Sequence, residues 1–411
     1  MDFTPLPPSV MHIDINSCFA TIEQQANPSL RGKPIAVAAY ASPRGCILAA
    51  SYEAKRMGVK TGMRVFEGKK LCPSLQILPP DAPKYRAVHL QMKSLLSQYT
   101  PRVYPKSIDE FVLHFEDCEL MFPEGLVAVA TEIKKRIKQE IGEWITVSIG
   151  IGPNRFLAKQ ASNYKKPDGL TTIDSTNYEA IYTSMQLTDL TGIKSRNEAR
   201  LHAYGIYTVM EMFDAPIWKL KAAFSGAPGY YWYLRIRGLS IDDVEFGRRS
   251  YGNSYSLPQP FVTKEELAPI ITKLTTKTTK RLRHAGFVAK GAHLAISYTD
   301  GTYWHKGSVS LMPLFSTSHM YQAIMHLFEQ SDKLPVRTIA VSVFNLSKNK
   351  ELQLSLFTNT LQTERLMKSV DLVNERWGDY VLFPARMVTA KAAVPDRIAF
   401  GGVKELEEIV L

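Results

Sequence analysis

Cysteine is scarce in this sequence, and it contains no long apolar run. The four cysteines among 411 residues are far apart and form no Cys-x-x-Cys pair, so neither a zinc site nor a disulfide framework is indicated. No apolar run reaches the roughly 18 residues of a membrane-spanning helix. The first residues also lack the basic and apolar pattern of a signal sequence. We therefore expect a globular cytoplasmic protein with no membrane partner.

Positive charge is in excess and is unevenly distributed. The net charge is +11, and residues 247–350 contain 14 Lys and Arg against 5 Asp and Glu, a surplus of nine. A basic segment of this kind favours a polyanion as partner, because each phosphate that it neutralises releases counterions. A solvated face that only aids solubility explains the charge equally well.

Three acidic residues border short apolar runs that are typical of strands. Asp14 lies in the run 10–15, and Asp109 and Glu110 directly precede the run 111–115. Taken singly, each acid is most simply explained as a solvated strand end. Together, carboxylates at the ends of neighbouring strands would form the hard-oxygen pocket that Mg²⁺ prefers. In a regular strand Asp109 and Glu110 would point to opposite faces, so a shared site requires a bend or a strand end there.

The residues around these acids carry a resemblance to a known family. The segment His-Ile-Asp-Ile-Asn-Ser-Cys-Phe-Ala at 12–20 and the tetrad Ser-Ile-Asp-Glu at 107–110 resemble the two catalytic motifs of the Y-family (translesion) DNA polymerases, in the right order and at a similar separation. The branch, bacterial polymerase IV or the polymerase V catalytic subunit, stays open. The resemblance implies that Asp14, Asp109 and Glu110 bind two Mg²⁺ ions with help from the carbonyl of Ile15.

The same resemblance implies a nucleotide pocket. Phe19 would lie beneath the incoming sugar as a steric gate, because a flat apolar ring leaves no room or partner for a 2′-hydroxyl. Tyr52, Lys55 and Lys166 would contact the triphosphate. Position 55 departs from the family pattern, where arginine is common, and lysine keeps the charge but loses bidentate geometry. Without the motifs, Phe19 would be a core aromatic and each lysine a surface charge.

The order of helical and strand patterns predicts an α/β or an α+β fold, and with the resemblance we expect an α+β fold of several domains. The resemblance implies a right-hand polymerase with a palm (1–17 and 84–173), small fingers (18–83), a helical thumb (174–245) and a β-α-β-β-α-β little finger (246–350). In the thumb we expect turns at Gly192, Gly205, Pro216 and Gly229. Residues 187–194 followed by 199–205 resemble a helix–hairpin–helix that offers backbone N–H groups to a DNA phosphate, and an αα-hairpin without a ligand is an equal alternative.

A short motif follows the last predicted domain. Residues Gln353, Leu354, Ser355, Leu356 and Phe357 resemble the peptide by which bacterial polymerases bind the sliding clamp, with apolar side chains that would fill a groove. The alternating pattern could equally be one more strand. The segment 351–411 is therefore expected to hold the clamp-binding motif and a C-terminal extension, with a helix at 363–377 followed by strand-like and turn segments.

These observations predict an error-prone, template-directed DNA polymerase that copies damaged DNA. It would transfer a nucleotide from a dNTP to a primer 3′-hydroxyl with two Mg²⁺ ions, and its partners would be primer–template DNA, dNTP and the sliding clamp. We expect a monomer. Two alternatives stay open: a nucleotidyl cyclase, and a catalytically weak relative that acts as a clamp-bound DNA adaptor. The cyclase leaves the basic domain without a purpose, and the intact acids argue against the adaptor.

Overall fold

The computed structural model describes residues 2–116, 118, 121–242, 247–348, 360–391 and 393–394. These residues divide into two compact units, one before residue 243 and one from residue 247 onward. In the part of the chain that is described, no helix is long and apolar enough to cross a membrane. The predicted α+β class is confirmed, since strands and helices alternate through the first unit and also build the second.

The strands of the first unit form two sheets. The strands are β1 (Val10–Ile15), β2 (Ile35–Ala38), β3 (Ile47–Ala50), β4 (Gln76–Leu78), β5 (Val103–Pro105), β6 (Glu110–His114), β7 (Val147–Gly152) and β8 (Leu170–Thr172). The larger sheet has the order β5-β6-β1-β7-β8, and the smaller has the order β3-β2-β4. Every residue of β1 is buried, because this strand is central and both sheet faces are covered. Antiparallel pairing on both sides holds it in register.

Eleven α-helices accompany these sheets among the described residues of the first unit. They are α1 (Cys18–Ala26), α2 (Tyr52–Arg56), α3 (Val65–Leu71), α4 (Ala82–Leu96), α5 (Gly125–Arg136), α6 (Arg155–Tyr164), α7 (Tyr178–Ser184), α8 (Ser195–Ala203), α9 (Val209–Asp214), α10 (Ile217–Ala223) and α11 (Ala227–Arg235). Helices α1, α4 and α5 bury their apolar residues with one face of the larger sheet, and α6 packs on the opposite face.

The turn that was expected at Gly229 is wrong. Gly229 lies inside α11, and the turn comes earlier, where Ser225 and Gly226 have φ angles of 57° and 117°. A Cβ at position 229 would lie 2.2 Å from the backbone oxygen of Leu220 in α10. The glycine therefore permits close packing of two helices. The turns at Gly192 and Gly205 are confirmed by positive φ angles of 101° and 64°.

The second unit is a helix-covered antiparallel sheet. Its elements are β9 (Ser250–Phe261), α12 (Lys264–His284), β10 (Phe287–Tyr298), β11 (Tyr303–Leu314), α13 (Thr317–Phe328) and β12 (Val336–Lys348). The predicted β-α-β-β-α-β order is thus confirmed, and the strands lie side by side as β11-β10-β12-β9. The helix α12 begins with a capping box, in which Thr263 and Glu266 satisfy each other's backbone N–H groups.

The described part of the C-terminal extension belongs to this second unit. The predicted helix is confirmed as α14 (Thr360–Trp377), and Arg283 of α12 holds its Asp371 through two hydrogen bonds of 2.7 and 2.8 Å. The prediction of a strand-like segment after this helix is wrong for the described residues. They form a 3₁₀-helix at Ala385–Ala390 instead. Its buried residues Met387 and Ala390 are three positions apart, so a three-residue turn places both on one face.

Candidate active site

The three predicted acids meet at one end of two neighbouring strands. Asp14 pairs directly with Glu110 in the register of β1 and β6. Asp109 lies in the bend before β6, where its carbonyl accepts a hydrogen bond of 2.9 Å from the N–H of Ile15. Because β6 begins only at Glu110, the chain is free to turn between the two acids. The strand end that their shared position requires is therefore present.

Alternation along β1 explains why one acid faces a helix. Met11, Ile13 and Ile15 belong to the apolar core, and His12 and Asp14 point to the opposite face, which α6 covers. A polar residue of α6 reaches that face, since the hydroxyl of Ser162 lies 3.1 Å from Nδ1 of His12. The helix α6 therefore supplies polar partners to the acidic face.

Glu110 is held by a lysine. Nζ of Lys159 lies 2.8 Å from Oε1 and 2.6 Å from Oε2 of Glu110, and Nε2 of His12 lies 3.6 Å from Oε2. Burial would raise the pKa of Glu110, but His12 and Lys159 outweigh it and lower the pKa to about 2. Burial also lowers the pKa of His12, although Glu110 opposes this. His12 and Lys159 therefore both stabilise the ionised form of the Glu110 carboxylate.

Asp14 is held by a second lysine. Nζ of Lys166 donates to Oδ2 of Asp14 at 2.6 Å. The loop that carries Lys166 is anchored by the buried Asn16, whose Oδ1 accepts from the N–H of Asp168 at 2.7 Å and whose Nδ2 donates to Oγ of Ser148 at 2.8 Å. One asparagine directly after β1 thus ties this loop to the sheet and sets the position of Lys166.

Asp109 is the acid with the least positive surroundings. Oγ of Ser107 donates to its Oδ1 at 2.5 Å, and Nδ1 of His89 lies 2.9 Å from the carbonyl oxygen of Ile108. Burial, together with the negative charges of Asp14 and Glu110, raises the pKa of Asp109 to about 6, although the Ser107 hydroxyl opposes the rise. Burial first, and the neighbouring carboxylates second, therefore disfavour the ionised form of Asp109.

The donor set suits a hard divalent cation. Among the described residues, no group of three or more His, Cys, Asp or Glu side chains is already arranged around a common metal position. Instead, Asp14 and Glu110 each face an ammonium group and Asp109 faces a hydroxyl. Carboxylate oxygens are the ligands that Mg²⁺ prefers, and a bound cation would offset both the burial of Asp109 and its repulsion by Asp14 and Glu110. The residues fit such ions once Lys166 and Lys159 move away from the carboxylates that they contact.

The residues that were predicted to contact a triphosphate also gather at Asp14. Nζ of Lys55 donates to Oγ of Ser17 at 2.7 Å and lies 4.6 Å from the centre of the Tyr52 ring. Burial lowers the pKa of Lys55, Lys166 lowers it further, and Asp14 raises it. Two ammonium groups, a phenol and a serine hydroxyl therefore surround one carboxylate. This arrangement offers both charge and hydrogen-bond donors to a bound polyanion.

Phe19 lies in the core beside this group. It is 2% exposed and stacks on Tyr85 of α4, with ring centres 4.3 Å apart and an interplanar angle of 9°. The hydroxyl of Tyr85 donates to Glu23 of α1 at 2.9 Å, so the ring under Phe19 is fixed. The position of Phe19 in the first turn of α1, two residues after Ser17, is consistent with a gate, and that role stays a prediction.

Sequence reasoning missed four residues of this site. Lys159, His12 and Ser17 contact the acids or the lysines, and Asn16 anchors the loop that carries Lys166. None of the four was singled out in advance. His12, Asn16 and Ser17 lie within three residues of Asp14 in the first motif, so this closeness in sequence could have indicated that they belong to the site. Lys159 has no such local signal, because only the packing of α6 on the sheet brings it to Glu110. The motif at 353–357 lies outside the described residues.

Known structures share this fold. A structure named as a Y-family DNA polymerase chimera of Dbh and Dpo4 matches with a TM-score of 0.73 and 25% identity, over 83% of this chain and 99% of that one. An insertion ternary complex of Dbh DNA polymerase matches with a TM-score of 0.59 and 24% identity over the same shares. The class of protein that the fold and the acidic site define is therefore the Y-family DNA polymerase.

Family models and relatives lead to the same class. The impB/mucB/samB family model matches residues 13–163, and the model of that family's C-terminal domain matches residues 248–356. The chain is 32% identical to DNA polymerase IV of Pelotomaculum thermopropionicum over 94% of this chain and 97% of the relative. It is 31% identical to DNA polymerase IV 1 of Bacillus subtilis over 90% of each. The chain belongs to the impB/mucB/samB family of Y-family DNA polymerases.

Proposed function

We propose that this protein copies damaged DNA with low fidelity, by transferring nucleotides from dNTPs to the 3′-hydroxyl of a primer in template order. The observation that carries the proposal is the convergence of Asp14, Asp109 and Glu110 at one strand end, with Lys55 and Lys166 beside them. The named relatives, which are DNA polymerases IV, support the same activity. No observation favours a clamp-bound adaptor that lacks catalysis.

The acids would hold two Mg²⁺ ions, with the carbonyl of Ile15 as a further ligand. When bound, such ions activate the primer hydroxyl and neutralise the leaving pyrophosphate. The chain's own contribution is to place the carboxylates. The pairing of β1 with β6 fixes Asp14 opposite Glu110, and the hydrogen bond from Ile15 fixes the backbone at Asp109. His12 and Lys159 together lower the pKa of Glu110 against the effect of burial, and so favour its ionised form.

Tyr52, Lys55 and Lys166 would bind the triphosphate, together with Ser17. Their donors are already gathered within one group, and Lys166 has to leave Asp14 when the polyanion arrives. The sugar would then lie on Phe19, whose ring is supported from below by Tyr85 and cannot retreat to admit a 2′-hydroxyl. This support is the physical basis for the proposed preference for deoxynucleotides.

The other parts of the chain would serve DNA binding and recruitment. We assign the palm to 1–17 and 84–173, the fingers to 18–83, the thumb to 174–245 and the little finger to 246–350, with the basic surplus at 247–350 gripping the DNA backbone. Residues 353–357 would bind the sliding clamp. The protein would act as a cytoplasmic monomer.

Primer extension tests the proposal. The full chain is given a primer–template duplex, the four dNTPs and Mg²⁺, on an undamaged template and on one with a single abasic site. We expect extension on the first and measurable passage of the lesion on the second. No extension on the undamaged template would sink the polymerase assignment. Extension that always stops before the abasic site would sink the translesion role alone.

A further inference from the structure

The ion pair between Asp14 and Lys166 connects the acidic part of the site to its basic part. Nζ of Lys166 lies 2.6 Å from Oδ2 of Asp14, and the two side chains are only 29% and 13% exposed. Lys55 is close enough to feel both of these charges. Two ammonium groups that repel each other therefore share the charge of one carboxylate.

This arrangement makes the binding of a cation and of a polyanion depend on each other. A divalent cation that binds Oδ2 of Asp14 must displace the ammonium group that already donates to this oxygen. Lys166 and Lys55 then lose the carboxylate that offset their repulsion, and they need another anion. A triphosphate supplies that anion. In the opposite order, a triphosphate that draws Lys166 away leaves Asp14 open to a cation.

We propose that the pair of Asp14 and Lys166 is an exchangeable lock that couples the binding of a divalent cation to the binding of a nucleoside triphosphate. The pair has to break only once for the two ligands, so each ligand reduces the cost of binding the other. Coupling of this kind is reciprocal. This inference rests on the proposed function, in which Asp14 is a metal ligand and the nearby lysines bind the triphosphate.

The pair of Glu110 and Lys159 offers a matched comparison within the same site. Lys159 also covers a carboxylate, at 2.6 and 2.8 Å from its two oxygens. It lies on α6, which packs firmly on β1 and β7, whereas Lys166 lies in the loop between α6 and β8. Removing Lys159 therefore removes a cation that competes with metal but leaves the two ammonium groups that would receive the triphosphate.

A Mn²⁺ titration tests the coupling without any turnover. The full chain is bound to a primer–template whose primer ends in a dideoxynucleotide, and free Mn²⁺ is followed by its paramagnetic resonance signal, with and without a non-hydrolysable dNTP analogue. The amount of Mn²⁺ that the analogue and the DNA bind by themselves is the same for every variant. Differences between variants therefore report on Mn²⁺ bound by the protein. Lys166→Met, Lys166→Gln, Lys159→Met and Asp14→Asn are compared with the parent after circular dichroism and thermal unfolding show equal folding.

We expect the analogue to tighten Mn²⁺ binding to the parent by about tenfold, within the usual range of coupling between two sites. Without the analogue, Lys166→Met and Lys159→Met should both bind Mn²⁺ more tightly than the parent, because each loses a competing cation. With the analogue, Lys159→Met should keep the parent's tightening, and both Lys166 variants should lose most of it.

Two outcomes would overturn the inference. The first is that the analogue tightens Mn²⁺ binding equally in the parent and in both Lys166 variants. The second is that Lys159→Met loses this tightening as fully as the Lys166 variants do. Asp14→Asn distinguishes these from a failure of the proposed function. If this variant binds Mn²⁺ as the parent does, Asp14 is not a metal ligand, and the metal site and the lock are both wrong.

Discussion

Gly150 lies behind the acidic site, and adding one methyl group at this position should displace the site without touching its carboxylates or lysines. A Cβ at Gly150 of β7 would lie 2.1 Å from the backbone oxygen of Ala158 and 2.1 Å from the backbone nitrogen of Ser162, both in α6. Ordinary contact begins near 3.4 Å, so α6 would have to retreat by about 1.3 Å. Backbone atoms of a helix cannot rotate away as a side chain can. The variant Gly150→Ala therefore has to move the whole helix.

We expect this shift to cost stability and activity together. Overpacking of a buried contact costs about 1–3 kcal/mol, and two backbone clashes place this site at the upper end. For a unit of this size, about 3 kcal/mol lowers the melting temperature by about 6–12 °C. The retreat also carries Lys159 away from Glu110. A displacement of about 1 Å near reacting groups can reduce the turnover rate by about a hundredfold.

Calorimetry and single-nucleotide incorporation measure the two effects. The matched control is Gly247→Ala, since a Cβ there meets nothing within 4 Å and its φ lies outside the left-handed region. We expect this control to melt and to react as the parent does. A Gly150→Ala protein that melts within about 1 °C of the parent would refute the reasoning, because α6 would then have room that the structure does not give it.

Three further outcomes are expected. Phe19→Ala should raise ribonucleotide incorporation and lower stability by about 3–5 kcal/mol, because the ring is 2% exposed; unchanged sugar selectivity in steady-state kinetics would contradict the gate. Arg283→Met should speed amide hydrogen exchange in α14, since it leaves a largely buried Asp371 without its partner, at a cost of about 3–5 kcal/mol. Lys280→Met, which breaks the more exposed pair with Asp379, should change exchange little, and equal effects would refute the distinction. DNA affinity measured by fluorescence anisotropy should fall steeply as salt rises, and a flat response would exclude the basic segment as a DNA grip.

Local patterns in the sequence were sufficient to predict the strands that carry the acids. The central strand β1 alternates core residues such as Ile13 with polar residues such as Asp14, and this period-two pattern is visible without a structure. The end of a strand between Asp109 and Glu110 also followed from the need for a shared site. The order of elements in the second unit could be predicted for the same reason, because its helices and strands are long and strongly patterned.

The lysine partner of Glu110 could not be predicted in this way. Lys159 reaches Glu110 only because α6 packs closely on Gly150 and Gly152, and the choice of helix face is a tertiary property. The error at Gly229 has a similar origin, since glycine marks a turn in local reasoning but here permits the contact of two helices. The sequence alone does not show whether a glycine forms a turn between two elements or lets two elements pack in contact.

The central claim is that the acids at this strand end are the groups that enable nucleotide transfer. Incorporation of a single dNTP under single-turnover conditions, with saturating nucleotide and Mg²⁺, tests it by comparing Asp109→Ala with Glu116→Ala. Glu116 lies just beyond the opposite end of β6 and pairs with Arg102 near the surface. We predict a loss of more than about a hundredfold for Asp109→Ala and no loss for Glu116→Ala. Equal rates for Asp109→Ala and the parent would contradict the account.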